Sequence, residues 1–180
     1  MERVILVDEN DRALGVLEKQ RAHEEGRLHR AFSIFIFDAK GRMLLQKRSS
    51  TKYHSGGLWS NACCGHPRPG EETHAAARRR LFEEMSLNCE LREAFTFLYR
   101  VSFDNQLTEH ELDHVLIGEC DGVPAPDPAE VEDWKWLSLP DLRNEMLERP
   151  EDFTYWLKTA IHSSEWDNLH ALTRSGSLFL

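Results

Sequence analysis

The sequence predicts a mixed β-sheet with helices against its faces, α/β or α+β in class. Three observations carry that expectation. Short apolar runs pair across polar turns three times along the chain; one run, Ala31–Phe37, is apolar on both faces; and a strong helical segment stands between the second and third pairs.

Taken in order, Val4–Val7 and Leu14–Leu17 flank the polar turn Asp8–Arg12 and read as a hairpin, an N-terminal extension ahead of the main sheet. Ala31–Phe37 and Met43–Gln46 flank Asp38-Ala39-Lys40-Gly41 as a second hairpin. Its two-faced apolar first strand belongs at the centre of the sheet, covered on both sides. Leu58–Cys63 adds a short strand. Glu72–Met85 is a helix, favoured by three alanines and by acidic residues at its start, where the helix dipole welcomes them. Ala77, Leu81 and Met85 form one apolar stripe, which leaves Arg80, Glu83 and Glu84 free to face a pocket. Phe95–Phe103 and Glu109–Glu119 make a third hairpin around Asp104-Asn105-Gln106. Val123–Pro128 is a loop, Glu132–Leu137 a last strand, and helices are expected over Leu139–Leu147 and Asp152–Leu172. No repeat or linker divides the chain, so one domain is expected over residues 1–180, with its core over about 30–165.

The bulk composition excludes several classes of function. A net charge of −9, from 22 Lys and Arg against 31 Asp and Glu, repels nucleic acid and anionic membranes, so neither is an expected partner. An anionic substrate would need basic residues gathered locally against that field. The cysteines at 63, 64, 89 and 120 have no disulfide-framework spacing and fit a reducing compartment, so a cytoplasmic location is expected. The N-terminus lacks the apolar stretch of a signal peptide, and no run approaches a membrane-spanning helix. A monomer is compatible with the sequence.

The chemistry concentrates in two places. Gly65-His-Pro-Arg-Pro-Gly-Glu71, continued through Arg79-Arg-Leu-Phe-Glu-Glu-Met-Ser-Leu87, resembles the Nudix box, G-x5-E-x7-R-E-U-x-E-E-x-G-U with U a bulky aliphatic. Gly65, Glu71, Arg79, Leu81, Glu83, Glu84 and Leu87 match. Arg80 stands where a Glu is usual, and Ser86 where a Gly is usual. A helix carrying adjacent carboxylates suits hard cations that bridge a diphosphate. The second constellation comprises Trp59-Ser-Asn-Ala-Cys-Cys-Gly-His66, the upstream pair His23 and His29, and the downstream Glu109-His-Glu111. Alternation along a strand sends Glu109 and Glu111 to one face and His110 to the other. Three His and two Glu make a mixed nitrogen and oxygen shell for Mn²⁺, Mg²⁺ or Zn²⁺.

Together these features resemble the type 1 isopentenyl-diphosphate delta-isomerases, which are Nudix-fold proteins, over the stretch from Leu17 to Trp156. The resemblance implies a Nudix-type mixed sheet and an activity that converts isopentenyl diphosphate to dimethylallyl diphosphate by protonation and deprotonation. It implies proton transfer by Cys64 and Glu111, and a metal site of His23, His29, His66, Glu109 and Glu111. A second Mg²⁺, carried with the substrate diphosphate, falls to Glu84 and the backbone carbonyl of Cys64. Tyr99 and Trp156 match aromatic residues at the reacting carbons; Lys19, Arg48, Lys52 and Arg80 match the cations around the diphosphate. Arg80 then becomes intelligible as a phosphate-binding cation in place of a hydrolase's metal ligand. The loop between His23 and His29 is one residue shorter than the family's pattern.

The reaction itself asks for such residues. An unactivated alkene gains a proton at one carbon and loses one two carbons away, through a tertiary cation that water would capture. The site must be dry and must hold both an acid and a base. A free thiol, with an ordinary pKa of roughly 8.5, suits one role and a metal-polarised Glu the other. Two other readings compete. A Nudix hydrolase of a nucleoside diphosphate derivative accounts for the box but not for Arg80, the remote histidines or Cys64, and a metabolite-sensing binding module has no need of Cys64 or Glu111.

Overall fold

A computed structural model describes residues 2–52 and 54–168 of the chain. Strands β1 (Arg3–Val7) and β2 (Ala13–Glu18) lead into a short helix α1 (Lys19–Glu24), followed by β3 (His29–Phe37) and β4 (Met43–Arg48). Two three-residue strands, β5 (Trp59–Asn61) and β6 (Cys63–Gly65), precede helix α2 (Thr73–Met85). Then come the long strands β7 (Leu91–Ser102) and β8 (Thr108–Glu119), β9 (Val131–Leu137), and helices α3 (Leu139–Glu148) and α4 (Tyr155–Ile161).

β3 is the spine of a mixed sheet. It runs parallel to β8, with His29 opposite Glu111, and antiparallel to β6, with Ser33 opposite Cys64. β8 continues antiparallel to β7, which sets Tyr99 opposite Glu111. The N-terminal hairpin of β1 and β2 attaches to β3 where Leu6 meets His29. Register therefore brings His29, Cys64, Tyr99 and Glu111 together along β3.

The two-faced apolarity of β3 has the expected outcome. Phe32, Ile34 and Ile36 turn to one face and pack with Leu44 and with Ala76, Ala77, Leu81 and Met85 of α2. Phe35 turns to the other and meets Met43, Leu45, Leu142, Leu157 and Ile161 under α3 and α4. Each such side chain contributes roughly 1.5–3 kcal/mol by leaving water. Helices thus cover both faces, the α+β architecture expected.

Several expectations are corrected. The strand over Leu58–Cys63 is two strands, since β5 pairs with β4 and β6 with β3, and the chain changes partner at Ala62. The second hairpin is a single pair, Phe37 with Met43; β4 then diverges to β5 and β9. The helix over Asp152–Leu172 is broken. A single 3-10 turn, Pro150–Asp152, precedes α4, and helix resumes over 164–168; the end of the expected helix lies outside the described residues. The break is imposed from outside: Thr154 N–H donates to Trp59 O at 3.0 Å, and Phe153 bridges to Trp59. The start of α2 also differs. Glu72 is the N-cap residue without a side-chain cap bond, and the first turn carries no acid. Among the described residues, no helix is long and apolar enough to cross a membrane.

Candidate active site

Each functional side chain is placed by a local device. α1 holds Lys19 and His23 one turn apart on a single face. It ends with Gly26 N–H donating to His23 O and Arg27 N–H donating to Ala22 O, a reverse turn that needs the left-handed φ of 60° at Gly26. That turn lets the short loop deliver His29 to the start of β3 beside His23, their rings 4.9 Å apart. At the end of α2, Ser86 takes a left-handed φ of 54°, the conformation for which the box usually supplies Gly. Its hydroxyl donates to Ala125 O at 2.8 Å, which offsets part of the strain. Glu71 and Arg79 form a two-pronged ion pair, both contacts 2.8 Å, that ties the loop after β6 to α2 and holds the Glu71 carboxyl down at about 2.

His23, His29, His66, Glu109 and Glu111 bring five ligand atoms within 4.8 Å of one another. His23 Nδ1 lies 2.6 Å from Lys19 O and His29 Nδ1 2.8 Å from Arg27 O, so each Nδ1–H donates to a carbonyl and each Nε2 turns inward with a lone pair. Burial drives His66 down to about 4, which keeps its ring neutral and able to ligate. His29 Nε2 and Glu109 Oε2 are buried with no hydrogen-bond partner of acceptable geometry. The donor set and these buried lone pairs fit a divalent cation. Glu111 Oε1 lies 2.8 Å from His66 Nε2, while Oε2 accepts from Tyr99 Oη at 2.6 Å. Burial and the Glu111 charge lift the Tyr99 hydroxyl well above its usual range, so it remains a donor.

Above this floor opens a cavity of about 770 Å³. Lys19, Arg48, Lys52 and Arg80 stand around it, with Glu84, Cys64, Tyr99 and Trp156 in its wall. Each cation has a local tether. Lys19 pairs with Glu2 at 3.1 Å, Lys52 with Glu130, and Arg80 with Glu84 as well as with Glu83 at 2.9 Å. Arg48 donates to the carbonyls of His54 and Ser55 and lies 5.2 Å from the centre of the Trp156 ring. Burial pushes Lys52 below the ordinary lysine value and, against the pull of Glu84, the charges of Arg48, Arg80 and Lys19 push the same way. The cavity thus gathers six Lys and Arg against five Glu in its lining, within an acidic protein. Glu83, expected to face the pocket, instead pairs with Arg79 and Arg80 on the outer side of α2.

Cys64 Sγ donates to Asn61 Oδ1 at 3.2 Å and sits 3.6 Å from Ser33 Oγ. Burial, reinforced by the charge of Asp113, pushes the thiol up to about 12, which corrects the expectation of a thiol near its ordinary value. Cys63 turns into the core beneath α2, and all four cysteines are free. Trp156 is almost wholly buried, its indole N–H donating to Ser60 Oγ at 3.0 Å, yet it also lines the cavity.

Three further residues stand at the site: Asp113 and Glu130, to which the sequence assigns no role, and His54, which it leaves as a surface or core residue. Asp113 accepts from Ser33 Oγ at 2.7 Å beneath Cys64; it extends the alternation of Glu109 and Glu111 by one step, a signal that was there to read. Glu130 stands between Lys52 and Arg80. His54 lies 2.8 Å from Glu109. Neither of these last two belongs to a periodic pattern.

Residues 27–157 match the NUDIX domain family. The chain is 54% identical to "Isopentenyl-diphosphate Delta-isomerase" of Burkholderia multivorans, over 94% of this chain and 96% of that one. It is 57% identical to "Isopentenyl-diphosphate Delta-isomerase 1" of Aromatoleum aromaticum, over 89% of this chain and 90% of the relative. Among solved structures, DR0079 from Deinococcus radiodurans superposes with a TM-score of 0.68 at 22% identity, covering 82% of this chain and 90% of that one. The MutT protein from Methanosarcina mazei gives 0.66 at 16% identity, with 79% and 95% covered. Likeness at that level of identity concerns the fold alone.

Proposed function

The chain belongs to the isopentenyl-diphosphate Delta-isomerase family, built on a NUDIX domain, and from that premise we propose how its residues divide the work. The protein is an enzyme that converts isopentenyl diphosphate to dimethylallyl diphosphate, a step of isoprenoid biosynthesis. Lys19, Arg48, Lys52 and Arg80 bind the diphosphate and so draw the hydrocarbon end toward the cavity floor. Cys64 and Glu111 exchange protons with the two carbons that gain and lose one. Tyr99 holds Glu111 by its second oxygen, and Trp156 turns an aromatic surface toward the cationic intermediate, worth on the order of 2 kcal/mol where water is excluded.

His23, His29, His66, Glu109 and Glu111 hold a divalent cation, Mn²⁺, Mg²⁺ or Zn²⁺, and Glu84 holds the Mg²⁺ that accompanies the diphosphate. A cation at the histidines supplies polarisation of the Glu111 carboxyl. The observation that best supports the isomerase over a hydrolase is Arg80. A cation at the position of a usual Nudix carboxylate joins Lys52 beside the cavity instead of ligating metal.

The test is solvent exchange. Purified protein with Mg²⁺ in deuterium oxide is expected to put deuterium into both isopentenyl and dimethylallyl diphosphate. Release of phosphate from a nucleoside diphosphate derivative, without such exchange, would return the chain to the hydrolases.

A further inference from the structure

His54 belongs to none of the motifs above, yet it is buried beside the metal-site carboxylate, in the segment between β4 and β5. Its Nε2 lies 2.8 Å from Glu109 Oε1, while Glu109 Oε2 stands 3.2 Å from His23 Nε2. The ring is fixed from two sides. It stacks on Phe103 at 5.2 Å and 14°, and meets Trp156 edge-on at 6.0 Å and 86°. His54 Nδ1 lies 3.4 Å from Ser55 Oγ, which can donate to it and so leave the ring proton on Nε2, facing Glu109. Its backbone carbonyl accepts from Arg48 Nη2. One residue therefore touches a metal-site carboxylate, the indole of the hydrocarbon end and a cation of the diphosphate end.

We propose that His54 is a positioning residue for the metal centre, committing one oxygen of Glu109 to its own Nε2–H so that the other is presented toward the histidines. A buried carboxylate without that donor would be left with an unsatisfied oxygen and would turn to find a partner. His54 is not itself one of the five convergent ligands. The inference rests on the assignment of those five residues as a metal site.

The experiment titrates Mn²⁺ alone into metal-free protein without substrate, with free Mn²⁺ read by its electron paramagnetic resonance signal. His54→Phe keeps the stacking on Phe103 and removes the donor; His54→Gln keeps a donor. His54→Phe is expected to weaken Mn²⁺ binding about 10–100-fold, the usual range for losing a partner behind a metal ligand. His54→Gln is expected to recover most of that loss. Should Phe not be accommodated, His54→Leu serves as the donor-free variant with the same two outcomes. Mn²⁺ binding in the donor-free variant equal to the parent's overturns the proposal, as does an equal loss in His54→Gln. If the parent itself binds neither Mn²⁺ nor, in the same titration read by elemental analysis, Mg²⁺ or Zn²⁺, the metal-site assignment fails and the inference falls with it, a result plainly different from the other two.

Discussion

Tyr99→Phe removes one oxygen atom from the enzyme. That oxygen donates at 2.6 Å to Glu111 Oε2, and both residues are buried. Glu111 Oε1 has His66 at 2.8 Å and His29 at 3.4 Å, so Tyr99 is the hydrogen-bond partner on the opposite side of the carboxylate. A hydrogen bond to a charged group contributes about 1.5–3 kcal/mol, and its loss strands a buried acceptor. For a chain of 180 residues that predicts a fall in Tm of about 3–12 °C. Urea titration at pH 7 measures the free energy directly. Glu111→Gln and the double variant complete a cycle, in which the two sites are expected to couple by at least about 0.5 kcal/mol. Because a loosened Glu111 is misplaced for proton transfer, kcat should fall more than KM changes. Stability within about 0.5 kcal/mol of the parent, an ordinary surface-mutation effect, together with unchanged kcat would refute the reasoning.

Cys64→Ala is expected to abolish turnover while metal content, measured by elemental analysis, stays at the parent's level. The half-buried thiol, protonated below about 12, should also react slowly with iodoacetamide at pH 7. Arg80→Glu removes a charge-assisted contact of about 1.5–3 kcal/mol and adds repulsion, so KM should rise at least roughly 10-fold in a steady-state assay. Glu71→Gln tests a pH dependence. The folded carboxyl sits at about 2 against 4.5, so its ion pair stabilises above 4.5 and is lost as pH falls toward 2. Discounted for partial exposure, that is about 1 kcal/mol. The Tm gap between parent and variant should be full at pH 7 and shrink below pH 4.5. His66→Ala, dialysed against Mn²⁺, should retain less metal than the parent by the same elemental analysis.

What the sequence made legible follows from periodicity. Ala31–Phe37 announced a covered strand because its apolar residues ignore the period of two, and Glu109 and Glu111 announced a shared face because theirs obeys it. α1 was not legible. Six residues carry too little pattern to score, and its end is set by hydrogen bonds at Gly26 rather than by composition. The break before α4 was hidden for another reason. Thr154 is extended because a distant strand claims its N–H, and no local preference records that contact. The same holds for Cys64, whose thiol is displaced by burial and by Asp113 across the sheet. His54 stands in a stretch of Ser, Gly and Lys, where one imidazole looks like any other.

Lys19 and His23 on one short helix join the proposed diphosphate end of the site to its proposed metal end. A helix of six residues is too short to persist by its own hydrogen bonds, so its order is borrowed from the packing of Ala22 and His23, both wholly buried. On those assignments, a cation held at His23 would steady the helix and with it Lys19, one turn earlier, and a diphosphate held at Lys19 would act back on His23. By thermodynamic reciprocity any such coupling would strengthen the two binding steps by the same factor.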